Sequence, residues 1–170
     1  VLSIASTYNG LTPAQYGLVM AFNGLLIVVI ELPLCQWLQR LDYKRVITFG
    51  FACIGIGAAS FFFAKTMTGY FIAMSLFTLG EIIAFPIAMA YMSKLTPELY
   101  RGRYFGFKGM MWGLAGIFSS AGIWFHGRIG DSWWIWAGAL ALLGSGLMLL
   151  TFKDRRKTES LEGAKARLKI

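Results

Sequence analysis

The chain has 170 residues, of which 57% are hydrophobic and only 14% charged, with a mean hydropathy of +0.62. That balance excludes a soluble domain of ordinary composition and points to an integral membrane protein. The formal charge of +8 does not point to nucleic acid, because the basic residues sit in short clusters between apolar runs and form no continuous basic face.

Residues 1–12, "VLSIASTYNGLT", are too short to cross a bilayer. They read as the outer end of a preceding helix and a loop, with "NGLTP" supplying turn chemistry and a proline suited to a first helical turn. A first span is expected at about residues 14–36, close to the roughly 20 residues that a bilayer requires. It carries Asn23 near its middle and Glu31 about five residues from one end. Asn23 is either a cavity-wall group or an interhelical hydrogen-bond donor. Glu31 is either a relay carboxylate or the partner of Arg40 or Arg45 in a structural ion pair.

A short basic turn, "QRLDYKR", leads to a second span at about 46–64. Cys35 and Cys53 lie in or beside apolar runs, far from any metal-ligand spacing, and read as small buried hydrophobes. The third span, at about 70–93, places Glu81 roughly 17 Å from either end, near the midplane. An ionised carboxylate there costs at least about 2.5–3.5 kcal/mol, so Glu81 must face a protein interior or a wet cavity. Exchange between neutral and charged forms at such a place is the chemistry of a proton relay. The competing reading is a protonated carboxyl that bonds a neighbouring helix as packing glue. Pro86, one turn on, frees a carbonyl and bends the helix, a feature tolerated where helices line a cavity or move.

The fourth span, at about 103–125, together with the residues just before it carries Gly102, Gly106, Gly109, Gly113 and Gly116 at spacings of three or four. Such a stripe is expected to let a neighbouring backbone approach closely. Trp112, about a third of the way in, faces either lipid or a cavity. Trp124 and Phe125, with Trp133, Trp134 and Trp136 at the start of the last span at about 133–152, read as an interfacial belt. His126 is the single histidine of the chain. No metal site is expected around it, and no cofactor motif or nucleophile and base set appears, so an enzyme is not expected.

Lys and Arg divide about 14 to 2 between the two sides, only Lys65 and Arg128 falling on the sparse one. The basic tail 153–170 is therefore expected to be cytoplasmic. Five spans with that orientation leave the N-terminus outside. The missing initiator methionine, the half-helix and the odd count together lead us to expect an N-terminal truncation.

The connecting segments carry a family resemblance. "PLCQWLQRLDYKRV" resembles the basic loop between helices 8 and 9 of the major facilitator superfamily, Asp42, Lys44 and Arg45 matching its acid and base positions while Gln36 and Tyr43 replace its glycines. "SKLTPELYRGRYFG" resembles the family signature at the turn between helices 10 and 11 through Pro97, Arg101, Gly102, Arg103 and Gly106. "TLGEIIAFP" is similar to helix 10 of bacterial drug:proton antiporter-like members, with Glu81 at the acidic position.

The resemblance implies an all-α polytopic transmembrane helix bundle. It would be the C-terminal part of a twelve-helix, two-lobe transporter, in which residues 13–152 supply helices 8 to 12. It further implies gating loops at Asp42, Lys44, Arg45, Arg101 and Arg103, and a cavity role for Glu81. The function expected on that basis is proton-coupled export of small amphipathic organic compounds by alternating access, in a bacterial cytoplasmic (inner) membrane. The expected partners are substrate, protons, lipid and the N-terminal half. A metabolite uniporter or uptake carrier, or a non-transporting membrane sensor or scaffold acting through its basic tail, are the alternatives.

Overall fold

A computed structural model describes residues 2–151, and the described residues are helical apart from short connections. The basic tail 153–170, and with it any surface helix or partner it forms, lies outside the described residues. The helices in chain order are α1 (Leu2–Tyr8), α2 (Pro13–Leu38), α3 (Tyr43–Ser60), α4 (Met67–Leu95), α5 (Arg101–Ile129) and α6 (Ser132–Thr151), with a single 3-10 turn at Glu98–Tyr100 between α4 and α5.

Local chemistry sets the starts of α2, α3 and α4. Thr12 and Gln15 form a reciprocal capping box: the Thr12 hydroxyl accepts from the Gln15 amide at 3.3 Å and the Gln15 side chain accepts from the Thr12 amide at 2.9 Å. Pro13 then occupies the first turn, where its missing N–H costs nothing. Asp42 caps α3 by accepting from the Lys44 amide at 2.9 Å, and Thr66 caps α4 through the Gly69 amide at 3.2 Å. The second expected span is shifted: α3 opens at Tyr43 because Asp42 caps it there, and it closes at Ser60. Phe61 to Ala64 follow in tight turns, each amide bonding three residues back.

Each expected span is a helix, but membrane-crossing character is uneven. By length and composition α2, α4 and Ser132–Leu150 of α6 qualify as spans among the described residues. The helices α3 and α5 do not reach the same measure. The first turn of α3 carries Lys44 and Arg45, and α5 carries Arg101, Arg103 and Lys108 among its glycines.

The helices α2, α4, α3 and α6 pack side by side in that order, and α5 contacts the bundle chiefly at α6. Close approach rests on glycines of α3, α4 and α6. A Cβ at Gly50 would lie 2.7 Å from the Ala84 amide nitrogen, one at Gly57 2.5 Å from Phe77 Cα, and one at Gly80 2.5 Å from the Ile54 nitrogen. At the other side of α3, a Cβ on Gly138 would meet the Gly55 carbonyl oxygen at 2.6 Å. Ser145 also donates to the Thr48 carbonyl at 2.9 Å, tying α6 to α3.

The glycine stripe expected to mediate packing makes no close approach among the described residues. A Cβ on Gly102, Gly106, Gly109, Gly113 or Gly116 would meet nothing within 4 Å, because α5 turns this face away from the other helices of the chain. One expectation needs correction. Cys35 and Cys53 are free thiols and only half-buried, since the faces of α2 and α3 that hold them are incompletely covered. Trp134 packs on Phe61 at a centroid distance of 5.0 Å, against the cluster that includes Leu11, Val19, Tyr70 and Met74. Trp124 and Trp136 are exposed.

Candidate functional site: a two-carboxylate cavity

The pairing of α2 with α4 brings the predicted polar residues together. Asn23 of α2 donates through Nδ2 to Thr78 Oγ1 at 2.7 Å and to Glu81 Oε2 at 3.4 Å. The Thr78 hydroxyl donates to the Met74 carbonyl at 2.7 Å, which leaves its oxygen lone pairs to accept from Asn23. This back-bond orients the amide: the Asn23 NH₂ group faces Thr78 and therefore also Glu81. Sequence reasoning missed Thr78, and its signal was available, since it lies three residues before Glu81 on the same helix face.

Glu81 and Glu31 line one cavity of about 290 Å³ with Ile27, Ile82, Phe85, Pro86 and Met89. The ion pair considered for Glu31 does not form among the described residues: Arg45 instead lies 3.7 Å from Asp42. Glu31 belongs to the cavity because it and Ile27 are one helical turn apart on the α2 face that meets α4. Trp112 is 57% exposed, and its ring meets Phe85 edge-on at 5.6 Å, so it extends the apolar wall by one ring. Lys108, one turn earlier on α5, contacts the Met89 sulfur. The cavity thus presents carboxylates on a wall that is otherwise apolar and aromatic. Such a surface can hold a proton, a cation, or an amphipathic molecule with a cationic end.

Among the described residues no group of three or more His, Cys, Asp or Glu side chains gathers into a metal centre. At the loop positions, Asp42 is fixed as the α3 cap and pairs with Arg45, Arg101 lies 3.7 Å from Glu98, and the Arg103 guanidinium sits 5.6 Å from the Tyr100 ring centroid. These are contacts within each turn, and they hold the local shape of the two basic connections.

A second polar cluster, absent from the sequence reading, closes the opposite end of the bundle. Asn9 Nδ2 donates to Tyr70 Oη at 3.1 Å and to Asp131 Oδ2 at 3.2 Å. Lys65 pairs with the same carboxylate, and His126, only 4% exposed, reaches Asp131 Oδ1 at 3.4 Å. Asp131 therefore joins the α1–α2, α3–α4 and α5–α6 connections. Burial pushes its carboxyl up, but the bonds with Lys65, Asn9 and His126, together with the Lys65 charge, outweigh burial and hold it below the usual value.

Because that folded-state value is depressed, the stabilisation is complete above the unfolded-state value and is lost as the pH falls through the folded-state one. Asp131→Asn is expected to cost up to about 1 kcal/mol, because it removes the charge that pairs with the half-exposed Lys65. Thermal unfolding of the intact protein at neutral pH should show the loss. The gap between variant and parent should shrink in acid below about pH 3.8, the usual carboxyl value. An unchanged melting temperature at neutral pH would count against the cluster as a structural tie.

Comparison with known proteins agrees with this architecture. The chain is 26% identical over 150 residues to a "Na(+), Li(+), K(+)/H(+) antiporter" of Planococcus maritimus, covering 86% of this chain and 35% of that protein. It is 27% identical over 130 residues to an uncharacterized MFS-type transporter, YhjO, of Bacillus subtilis (strain 168), covering 76% of this chain and 32% of that protein. The chain thus spans about a third of the length of these curated relatives. No solved structure matches it significantly. The description of the Major Facilitator Superfamily matches residues 1–169, that is, all but the last residue of the sequence, and the chain belongs to that family of membrane transporters.

Proposed function

We propose that the intact protein is a proton-coupled secondary transporter that exports small amphipathic organic compounds by alternating access, and that Glu81 is its coupling carboxylate. The observation that carries this reading is the shared cavity of Glu31 and Glu81, apolar on its remaining walls, with Asn23 within bonding distance of Glu81. A proton and a cationic cargo would compete for the same carboxylate. Each would favour a different access state, since a ligand shifts a two-state equilibrium only by its differential affinity. The basic turns at Asp42, Lys44 and Arg45 and at Arg101 and Arg103 would act as gating loops on the cytoplasmic side, where the Lys and Arg bias puts them. The rest of the transporter would close the cavity and cover the open glycine face of α5. The protein would reside in a bacterial cytoplasmic membrane with its C-terminus inside.

The antiporter relative supports a second reading, exchange of alkali-metal ions for protons, because its printed activity is of that kind and it aligns with most of the chain. Five apolar lining residues argue for organic cargo, since a bare metal ion asks for oxygen ligands on every side.

Proteoliposomes with an acid lumen separate the two. If the first reading holds, external tetraphenylphosphonium should exchange for luminal protons and make the lumen more alkaline. Alkalinisation by Na⁺, Li⁺ or K⁺ alone would transfer the assignment to metal-ion antiport. No response to either class would overturn proton coupling and return the protein to the uniporter or non-transporting readings.

A further inference from the structure

A second, larger groove of about 480 Å³ opens at the basic end of α2 and α3, remote in chemistry from the two-carboxylate cavity. Leu34, Trp37, Leu41 and Phe49 form apolar walls, and Asp42 and Arg45 are its charged members. Trp37 is 58% and Phe49 60% exposed, so aromatic surface lies open directly beside the arginine.

The charged groups there are unevenly committed. Asp42 is occupied twice: Oδ1 accepts from the Lys44 amide at 2.9 Å, and Oδ2 lies 3.7 Å from Arg45 Nε. The Arg45 side chain is 86% exposed, and its terminal Nη groups make no bond among the described residues. Arg40 and Lys44 flank the same turn, so three cations face one anion that is already engaged. In a membrane protein, a turn with an exposed tryptophan and adjoining cations sits at the boundary between hydrocarbon and water. The groove therefore offers an apolar trough on the hydrocarbon side and a planar phosphate-binding fork on the water side.

We infer that this groove binds an anionic phospholipid, with an acyl chain in the trough against Leu34, Trp37 and Phe49 and the phosphate on the Arg45 guanidinium. A net negative headgroup is favoured over a zwitterionic one by the excess of cations on the turn. Occupancy would brace the α2–α3 connection, since the lipid touches both helices and engages the guanidinium that pairs with the α3 cap.

The test uses the intact protein reconstituted in vesicles of equal phosphatidylglycerol and phosphatidylcholine, then extracted and analysed for retained lipid by native mass spectrometry. Phosphatidylglycerol should be retained in preference. Arg45→Gln should lower the ratio of retained phosphatidylglycerol to phosphatidylcholine about fivefold, the effect of one interfacial cation. Arg45→Lys should recover part of that ratio. Arg128→Gln, at the opposite end where Arg128 lies over the Trp124 ring, should leave the ratio unchanged. Trp37→Ala keeps every charge and should lower total retained lipid, which guards against Arg45→Gln acting through misfolding. Equal ratios in parent and Arg45→Gln would overturn the inference. So would displacement of the retained lipid by soluble glycerol 3-phosphate, which would mark a phosphate site without an acyl trough. Absence of any retained lipid in the parent would likewise overturn it and give the groove to another segment of the intact protein.

Discussion

Glu81→Gln is expected to reduce cation-driven proton movement about 5- to 150-fold, the range spanned by a coupling free energy of about 1–3 kcal/mol. The substitution isolates titration from shape. Glutamine keeps the length of the side chain and an oxygen that can accept from Asn23, whose amide stays oriented by Thr78. Folding and the α2–α4 contact should therefore survive, with a melting temperature close to that of the parent, while the group that exchanges a proton is gone. Packing glue predicts the opposite balance: a neutral hydrogen-bonding amide would serve as well as a neutral carboxyl, and coupled transport would continue. Glu31→Gln is the internal comparison. Glu31 lines the same cavity but lies nearer the basic end of α2, and among the described residues no hydrogen bond holds it as Asn23 holds Glu81. Its loss should weaken cargo binding more than coupling, raising the half-saturating cation concentration while protons still move. Internal pH in proteoliposomes, recorded over a range of tetraphenylphosphonium concentrations, reads both effects. If Glu31→Gln abolishes coupling and Glu81→Gln does not, the proton belongs to Glu31.

The polar residues in and beside the cavity could be named from the sequence because the bilayer makes them conspicuous: Asn23, Glu31 and Glu81 interrupt runs that are otherwise apolar. Their association could not be read in the same way. Both α2 and α4 are apolar around most of their circumference, so no polar stripe marks which face is buried or which helix it meets. The neighbour relation comes from packing, and packing here is decided by small residues on three different helices. The stripe on α5 was visible because five glycines share one helix, yet that face is open within this chain. Gly50, Gly57, Gly80 and Gly138, where backbones do meet, form no pattern until α3, α4 and α6 are placed together. The Asp131 cluster was hidden for a related reason. Its carboxylate sits in a connection that reads as ordinary loop, and its partners Asn9 and Lys65 are 122 and 66 residues away in sequence.

Those glycines carry the second large expected effect. Gly57→Ala and Gly80→Ala should each destabilise the protein by about 1–3 kcal/mol, the usual cost of overpacking a well-packed site. The sign has to be argued, because alanine is the better helix former by about 1 kcal/mol in an exposed helix interior. At Gly144 on α6 a new Cβ meets nothing within 4 Å, so Gly144→Ala should be neutral or slightly stabilising. At Gly57 the new Cβ would lie 2.5 Å from both Cα and N of Phe77, and at Gly80 it would lie 2.5 Å from the Ile54 nitrogen. Both obstacles are backbone, which no rotamer change can move, so relief requires α3 and α4 to separate along their length. Separation would loosen the layer that also holds Thr78 and Glu81 in place, and coupled transport should fall together with stability. The double variant should cost less than the two single losses added, since the first Cβ already parts the helices that the second would meet. Thermal unfolding of the intact protein in detergent ranks the variants. Equal melting temperatures for Gly57→Ala and Gly144→Ala would mean that α3 and α4 do not meet backbone to backbone. A loss at Gly109→Ala as large as that at Gly57→Ala would mean that the open face of α5 is met with similar closeness by the rest of the intact protein.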